Sequence, residues 1–338
     1  MTEETFYDVV GIGNAIVDVL ARVGDGFLTE RELPKDDMIL LGALEAGKIY
    51  NDIIPEIQVS GGSSANTVAG IASLGGNTAY IGKIHEDELG QSFKRSIGSA
   101  GVDFFTEPLN QGPSTGRSII LVTPDAKRSM FTYLGASAEL SKDDIDEDII
   151  KRSKYLYVEG YLWDDHSSKM ALLKAFKLAK RNNRKVAFSL SGKTLAENNR
   201  LDFLKIINRY VDVLFGNEEE FVALLDMDFY EGLDFIKDKV EIAAITRGEK
   251  GSVVVKGRTK TFVEAEKVEA VVDTTGAGDL YAAGFLFGLN QGRSLGTCAI
   301  IGSICAAEVI SHYGARSEVA LRGFVRNKLL EYGINAEI

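Results

Sequence analysis

The sequence contains little cysteine and little histidine, which limits the covalent and metal-dependent structures that it can form. Its 338 residues include two cysteines, Cys298 and Cys305, seven positions apart on a predicted helix. That spacing is close to two helical turns, so we expect both thiols on one buried face. The three histidines, His85, His166 and His312, are scattered along the chain. The sequence therefore predicts neither a disulfide framework nor a zinc site.

Positive charge is also scarce. Lys and Arg total 38 against 49 Asp and Glu, which gives a formal net charge of −11. Because a nucleic-acid surface needs clustered Lys and Arg to contact phosphates, we expect no nucleic-acid partner. A small phosphorylated ligand stays compatible with this charge, since backbone amides at a helix start can hold it.

Long apolar runs are missing as well. None reaches the roughly 20 residues that a membrane-spanning helix needs, so no membrane partner is expected. Residues 1–7 are polar and acidic, which is not typical of a signal peptide, and the expected location is the cytoplasm. With 45% hydrophobic residues and no internal repeat, the chain has the composition of a globular protein with a large core.

The most informative segment is Asp-Thr-Thr-Gly-Ala-Gly-Asp at residues 273–279, followed directly by an apolar helical pattern. Its glycines let the backbone approach a ligand, and amides at a helix start favour an anion. An acid in such a site would repel a resting anion. Asp279 is therefore interpreted as a general base for a hydroxyl that receives a phosphoryl group. The alternative is an ordinary helix start in which Asp279 complements the helix dipole.

A second glycine turn occupies residues 61–70, after a short predicted strand at 56–60, and also opens a helix. Asn66 lies in its first turn, where it can face a ligand or act only as a cap. Residues 8–14 form a buried strand, and Ile16 stands where a dinucleotide fingerprint needs glycine. A second strand is therefore expected, with Asn14 and Asp18 near the crossing as hydroxyl-binding groups or turn residues.

From residue 155 onward, strands and helices alternate regularly as far as a helix at 295–311, which predicts a parallel sheet covered on both faces. Polar clusters at 189–191, 217–220 and 246–248 follow three of these strands, where such sheets bind ligands. Further short strands are predicted to form a separate small sheet that covers the site: 16–23, 38–41, 56–60, 114–122 and 128–134.

Together these segments resemble the ribokinase (PfkB) family of sugar and nucleoside kinases over essentially the full length. Residues 273–279 are similar to its signature, 61–75 to its N-terminal glycine motif, and 217–220 to its Asn-x-x-Glu element. Within the family the chain is most similar to adenosine kinases, on segments 13–18, 27–40 and 212–218. The resemblance implies one α/β domain over 1–338: a three-layer α/β/α core with a mostly parallel sheet. A small β-sheet lid would come from segments of about 15–60 and 113–135.

The resemblance also implies the activity. An adenosine kinase transfers the γ-phosphoryl group of ATP to the 5′-hydroxyl of adenosine, giving AMP, with Mg²⁺ as cofactor. The alternatives are a sugar kinase of the fructokinase or ribokinase type, or another nucleoside kinase. A non-catalytic regulator that binds a sugar or nucleoside is a third reading. A monovalent cation such as K⁺ near Asp273, and a homodimer formed through the lid, are options at the level of the family.

Residue roles follow from the motif positions. Asp279 would be the base, and the amides of Gly276, Ala277 and Gly278 would form the anion hole. The implied acceptor-binding residues are Asn14, Asp18, Gly62, Ser63, Asn66, Arg128, Tyr161 and Leu162. The implied ATP-binding residues are Asn217, Thr246, Gly248 and Thr275, with Glu220 holding Mg²⁺ through water.

Two positions depart from the family pattern. His85 stands where the family more often has glycine, and Met38 stands where the nearest adenosine kinases have a polar amide. The polar and aromatic patch at 159–164 follows a strand and fits either acceptor recognition or core packing.

Overall fold

The computed structural model describes residues 6–35, 37–125 and 127–336. Residues 1–5, which carry most of the polar N-terminal segment, lie outside this part of the chain, as does Ala126 in the predicted turn between two strands. The strands are Tyr7–Ile12 (β1), Ile16–Arg22 (β2), Met38–Leu40 (β3), Ile57–Gly61 (β4), Thr78–Ile81 (β5), Val102–Phe104 (β6), Gly116–Val122 (β7), Arg128–Tyr133 (β8), Ser153–Glu159 (β9), Lys185–Ser189 (β10), Val213–Asn217 (β11), Ile242–Thr246 (β12), Ser252–Lys256 (β13) and Thr259–Val263 (β14).

The larger sheet has nine strands in the order β14-β13-β12-β11-β10-β9-β1-β5-β6. All pairs from β12 to β6 are parallel, and β13 and β14 add an antiparallel edge. Consecutive side chains of a strand point to opposite faces, so Val9 enters one hydrophobic core and Val10 the other. This two-sided burial explains the nearly continuous apolar strands that the sequence shows.

Helices cover both faces of this sheet, and two further helices, the first two in chain order, lie beside the second sheet. They are Asp25–Glu30 (α1), Ala43–Asn51 (α2), Ser63–Ser73 (α3), Glu88–Ser99 (α4), Glu147–Lys151 (α5), His166–Arg181 (α6), Lys193–Asn198 (α7), Arg200–Tyr210 (α8), Glu218–Leu225 (α9), Phe229–Ile236 (α10), Ala277–Asn290 (α11), Leu295–Val309 (α12) and Leu321–Glu331 (α13). The layer with α3, α4, α11, α12 and α13 packs on one face, and the layer from α5 to α10 on the other. The predicted three-layer α/β fold is confirmed.

The second sheet has five strands in the order β3-β8-β7-β2-β4, and we call it the lid. Its strands are those expected from the sequence. One face, with Val17 and Val19, packs into the main core alongside residues of α1 and α2. The other face carries a small cluster of Leu20, Ile120 and Val122.

Some helices were not expected from the sequence. The structure adds α1, α2, α5, α7 and α10, and it places α13 after the helix that seemed to end the pattern. Helix α1 has six residues and α10 has eight, too short for a clear 3.6-residue period. Within the ranges that the structure covers, no helix is long and apolar enough to cross a membrane.

Candidate active site

The candidate site lies at the carboxyl edge of the nine-stranded sheet, where α3 and α11 begin. Asn14 follows β1, Glu159 ends β9, and Asn217 ends β11 next to Thr246 of β12. Parallel strands bring these positions to one edge, although they are far apart in sequence. The lid adds residues of β2 and β8 to the same site.

The signature loop forms the N-terminus of α11. Gly276 is the residue before the helix and has a φ of 79°, a left-handed conformation that favours glycine. A Cβ at this position would lie 2.8 Å from the Cα of Ala315, so the close approach also requires glycine. Asp273 holds the loop, because its Oδ1 accepts from the Thr275 amide at 2.8 Å and its Oδ2 from the Gly314 amide at 2.8 Å.

The predicted anion hole is open at two of its three amides. The Ala277 amide donates to the Thr274 carbonyl at 3.2 Å, as part of the turn. The amides of Gly276 and Gly278 have no backbone acceptor in the described ranges. Both amides belong to the start of a helix, where unpaired donors favour an anion.

The carboxylate of Asp279 is held by two donors from α3. The Ser63 hydroxyl donates to Oδ1 at 2.6 Å, and the Asn66 side-chain amide donates to Oδ2 at 2.9 Å. Burial raises the pKa of Asp279, while these two hydrogen bonds and the charge of Arg316 oppose the rise. The carboxylate is thus fixed in orientation and more basic than an exposed aspartate, which suits a proton acceptor. Asn66 is not a helix cap, since Gly62 occupies that position.

The glycine turn is packed against the end of β1. Gly62 has a φ of 98°, and a Cβ there would lie 2.1 Å from the Asn14 carbonyl oxygen. This contact places the first turn of α3, and with it Ser63 and Asn66, directly beside Asn14.

Glu159 is a buried carboxylate whose role the sequence did not reveal. Its Oε1 accepts from the backbone amide of Asn14 at 2.8 Å and from the Asn14 side chain at 3.0 Å, and its Oε2 accepts from the Ser64 amide at 2.7 Å. Burial raises the pKa of Glu159 to about 7, and the three hydrogen bonds oppose this rise. Glu159 therefore joins β1, β9 and α3, and it orients the side chain of Asn14, which is predicted to bind an acceptor hydroxyl.

The rest of the 159–164 patch divides between site and core. Tyr161 is 42% exposed, as an acceptor contact requires, whereas Leu162 is 2% exposed and lies in the core. Trp163 is also buried and packs edge-on against Phe203. The expectation that Leu162 contacts the acceptor is therefore corrected. Gly160–Trp163 form a tight 3-10 turn with about three residues per turn, so Tyr161 points away from the side on which Leu162 and Trp163 are buried.

Two charged lid residues reach the site. Burial raises the pKa of Asp18 to about 7, with Arg316 and Arg128 lowering it and Asp279 raising it. Arg128 donates to the Thr275 hydroxyl at 2.5 Å and forms an ion pair with Asp273. Arg128 thus connects the lid to the signature loop, in a place where it can also meet a phosphate.

The Asn-x-x-Glu element forms a capping box at the start of α9. The Glu220 amide donates to the Asn217 side chain at 2.8 Å, and the Asn217 amide donates to Glu220 Oε2 at 3.0 Å. Burial raises the pKa of Glu220 to about 7, and the charges of Asp279 and Glu219 add to the rise. A carboxylate with one oxygen left for water, in a negative potential, fits Mg²⁺ bound through water. Within the described residues, no group of three or more His, Cys, Asp or Glu could hold a metal directly.

Thr246 and Gly248 lie next to this cap, at the end of β12 and the start of the turn that follows it. Gly248 has a φ of 58°, and a Cβ at this position would meet no atom within 4 Å. Arg247 is held between them by an ion pair to Glu218 at 3.1 Å. Three of the predicted nucleotide residues, Asn217, Thr246 and Gly248, therefore lie together at the sheet edge, while Thr275 lies in the signature loop.

Arg316 is a site residue that the sequence did not indicate. It follows α12 in the loop with Gly314 and Ala315, and its guanidinium donates to the carbonyls of Ser60 and Ala65. A single arginine after a helix carries no motif, so no local pattern could have identified it.

His85, which departs from the family pattern, lies at the base of the lid, where its backbone amide donates to the Thr115 hydroxyl at 3.0 Å.

A nine-stranded α/β core, a β-sheet lid and a carboxylate at the start of a helix beside open amides define a ribokinase-like sugar or nucleoside kinase. The chain belongs to the pfkB family of carbohydrate kinases, whose model matches residues 57–320. Membership implies ATP as co-substrate, usually with Mg²⁺, and an alcohol group of a sugar or nucleoside as acceptor.

Three relatives illustrate the range of acceptors. The structure of adenosine kinase from Sinorhizobium meliloti is 45% identical, has a TM-score of 0.88, and covers 95% of this chain and 99% of that one. A probable sugar kinase from Rhizobium etli CFN 42 is 40% identical, also with a TM-score of 0.88, and covers 97% of this chain and 99% of that one. The 5-dehydro-2-deoxygluconokinase of Halalkalibacterium halodurans is 28% identical over 320 residues, covering 91% and 90% of the two chains.

Proposed function

We propose that this kinase phosphorylates the 5′-hydroxyl of adenosine with ATP, giving AMP and ADP. The observation that carries the chemistry is the Asp279 carboxylate, held by Ser63 and Asn66 beside the open amides of Gly276 and Gly278. A base and an anion hole at one helix start are what an alcohol-accepting phosphoryl transfer needs.

In the proposed reaction Asp279 accepts the proton of the acceptor hydroxyl, and the oxygen of that hydroxyl attacks the γ-phosphorus of ATP. The bond from that phosphorus to the bridging oxygen breaks, and ADP leaves. The amides of Gly276 and Gly278 hold the equatorial oxygens of the transferred group, and Arg128 adds positive charge from the lid. Glu220 would hold Mg²⁺ through water, and the ion would neutralise negative charge on the phosphate oxygens.

The choice of adenosine is supported by the inner face of the lid, by which we mean the face opposite to that of Val17 and Val19. Leu20, Ile120 and Val122 form an apolar cluster there, and Met130 and Tyr313 pack against it. Asp18 lies on the same strand as Leu20, two residues away, where the polar ribose would meet the apolar base. Leu20, Ile120 and Val122 are already buried, so a flat purine would cover the partly exposed Met130 and Tyr313 that pack against them. The 45% identity to a protein named adenosine kinase supports the same choice.

A second candidate is phosphorylation of a sugar acid, as in the relatives named 5-dehydro-2-deoxygluconokinase. The observation that favours it is Arg128, a lid guanidinium that could receive a carboxylate. Arg128 is already engaged by Asp273 and Thr275, and the apolar lid face offers a sugar acid little else. We therefore place this candidate second.

The experiment that separates the candidates is a coupled assay of ADP release with one acceptor at a time. Adenosine, inosine, guanosine, ribose, fructose and 5-dehydro-2-deoxygluconate would be compared by kcat/KM. We expect adenosine to exceed every sugar by at least about 10²-fold, since a bound purine adds several kcal/mol. A sugar or sugar acid that wins by that margin would refute the proposal.

Three further expectations stay predictions: a monovalent cation near Asp273, a cytoplasmic location, and a homodimer formed through the lid. The dimer gains support from apolar side chains that are exposed on or beside the lid: Leu40, Leu44, Ile54 and Ile57. Sedimentation of the purified chain would test it, and a monomer at assay concentrations would remove it.

A further inference from the structure

We infer that Arg316 is a positioning residue for phosphoryl transfer, which orients the glycine turn and places a positive charge near Asp18 and Asp279. The inference rests on the proposed role of Asp279 as the base, and it does not depend on which acceptor is used. Arg316 touches none of the residues that would react, so it acts through the groups that it holds.

The guanidinium bridges the two sides of the glycine turn. Its Nε and Nη2 donate to the Ser60 carbonyl at 3.1 and 2.7 Å, and Nη2 also donates to the Ser60 hydroxyl at 3.0 Å. Its Nη1 donates to the Ala65 carbonyl at 2.9 Å. Ser60 lies in β4 before Gly61 and Gly62, and Ala65 lies after them in the first turn of α3, so the guanidinium sets the distance between Ser60 and Ala65. Ser63 and Asn66, which hold the base, lie on this same stretch.

The segment that carries Arg316 also holds the signature loop. The Gly314 amide donates to Asp273 at 2.8 Å, and Ala315 packs so closely on Gly276 that no Cβ fits there. Three consecutive residues therefore contact both glycine motifs. A shift of this segment would move the base relative to the anion hole, and such misplacement is costly in phosphoryl transfer.

The segment is itself held in place by a buried carboxylate. Glu308 Oε1, at the end of α12, accepts from the Glu318 amide at 3.1 Å and lies 3.2 Å from His312 Nε2. These contacts fix both ends of the loop around Arg316. The guanidinium is thus delivered by a structured loop rather than by a free chain.

The charge of Arg316 is not cancelled by a contact ion pair within the part of the chain that the structure describes. Its hydrogen-bond partners there are neutral carbonyl and hydroxyl oxygens. Burial lowers the pKa of Arg316 to about 10, and the charges of Asp18 and Asp279 oppose that fall. In return the guanidinium lowers the pKa of both carboxyls, which keeps the base available as an anion.

A cavity of about 360 Å³ lies against this side chain, lined on one side by Arg316 and Ser60 and on another by Ser96 and Ser99 of α4. Its polar hydroxyls can take water, so a shortened side chain at position 316 would not leave a dry void. The cavity is also large enough for a free guanidinium ion, which makes chemical rescue feasible.

The first test compares Arg316→Met and Arg316→Lys with the wild type, on whichever acceptor the wild type phosphorylates best. We expect Arg316→Met to lose about 10²-fold in kcat. The acidic limb of its profile of kcat/KM against pH should move to higher pH by about one unit, because Asp279 loses a nearby cation. Arg316→Lys keeps the charge but not the fork that spans two carbonyls, so its acidic limb should stay in place while kcat falls about 10-fold.

The second test uses Arg316→Ala with added guanidinium chloride at low millimolar concentration. We expect several-fold recovery of kcat, with no effect on the wild type or on Arg326→Ala, an exposed arginine of α13. Unchanged kcat in Arg316→Met would overturn the inference. The inference would also be overturned if Arg316→Met and Arg316→Lys lost kcat equally, the acidic limb stayed in place and guanidinium gave no rescue. That result would indicate a merely structural role. If adenosine is not the acceptor, the wild-type assay will show it. The comparison of the Arg316 variants with the wild type then stays valid, because it uses whichever acceptor the wild type prefers.

Discussion

The sheet edge and the lid contribute to the same site but are built in different ways. At the sheet edge each reactive group has several fixed partners: Asp279 has two side-chain donors, and Glu159 accepts three hydrogen bonds. On the lid, the inner face is an apolar cluster, and Arg128 is its link to the signature loop. The difference supports a proposed division of labour, in which the edge would supply the base and the anion hole, and the lid would add Arg128 and an apolar face that selects the acceptor.

The largest expected effect concerns the base. Asp279→Asn should lower kcat by about 10²–10⁴-fold, because an amide cannot accept the hydroxyl proton. Acceptor affinity, measured by calorimetry, should stay within a few-fold of the wild type. Asp238→Asn, an exposed aspartate remote from these contacts, is the matched control and should keep normal turnover. Wild-type turnover in Asp279→Asn would remove Asp279 from the mechanism.

The second effect tests whether the sheet edge is as rigid as its hydrogen bonds indicate. Glu159→Gln replaces one accepting oxygen with a donor, so a buried amide of Asn14 or Ser64 loses its partner. We expect a loss of about 1–3 kcal/mol in the free energy of unfolding and about 10²-fold in kcat/KM. Denaturant unfolding and steady-state kinetics check the two values. If stability falls and kcat/KM does not, Glu159 supports the fold without positioning Asn14.

The third effect tests the link between the two regions. Arg128→Met removes the ion pair to Asp273 and the hydrogen bond to Thr275, so the lid should dock less firmly on the signature loop. We expect kcat/KM for ATP to fall about 10-fold or more, since a charge-assisted contact is lost. Arg152→Met, a cation outside the site that stacks on Phe6, serves as the control. Equal kinetics in Arg128→Met and its control would separate the lid from the phosphoryl-transfer centre.

The fourth effect is a pH dependence with opposite signs for activity and stability. Asp279 must be ionised to act as the base, and its raised pKa means that kcat/KM should climb with pH. Glu159 and Glu220 have pKa values of about 7 in the folded chain, above those of an unfolded glutamate. Their contribution to stability is therefore present below about pH 4 and is lost as pH rises through 7.

Thermal unfolding at pH 5.5 and 7.5 without ligands checks this sign, with kcat/KM measured over the same interval. The contribution of these groups should make the protein less stable at pH 7.5, where it is more active. Glu159→Gln should reduce the pH dependence of stability. A pH dependence of stability that is the same in the wild type and in Glu159→Gln would show that the Glu159 carboxyl ionises alike in the folded and unfolded chains.

The parts of the site that the sequence predicted are those with a local signal. Glycines before an apolar helix mark both α3 and α11, and Asn217 with Glu220 has the spacing of a capping box. Glu159 and Arg316 have no such signal, because their partners lie 95 and 251 positions away. Those contacts exist only after the sheet has formed and the last loop has returned to it.

Side-chain direction was the other limit. Tyr161 and Leu162 are neighbours in a 3-10 turn, and the sequence does not show which of them faces the cleft and which the core. The alternation of lid strands, in contrast, follows from a period of two residues, which the sequence displays directly. The lid strands were therefore predictable, and the irregular turn was not.

One measurement tests the division of labour most directly: the ratio of kcat/KM for adenosine to that for ribose, in the wild type and in two variants. Asp279→Glu displaces the base by one methylene and leaves measurable activity, at a cost of about 10²-fold. Met130→Gln keeps the side-chain length but makes the inner face of the lid polar. The account predicts that Asp279→Glu lowers both rates equally and keeps the ratio, while Met130→Gln lowers the ratio about 10-fold. A ratio that changes in Asp279→Glu and stays constant in Met130→Gln would contradict it.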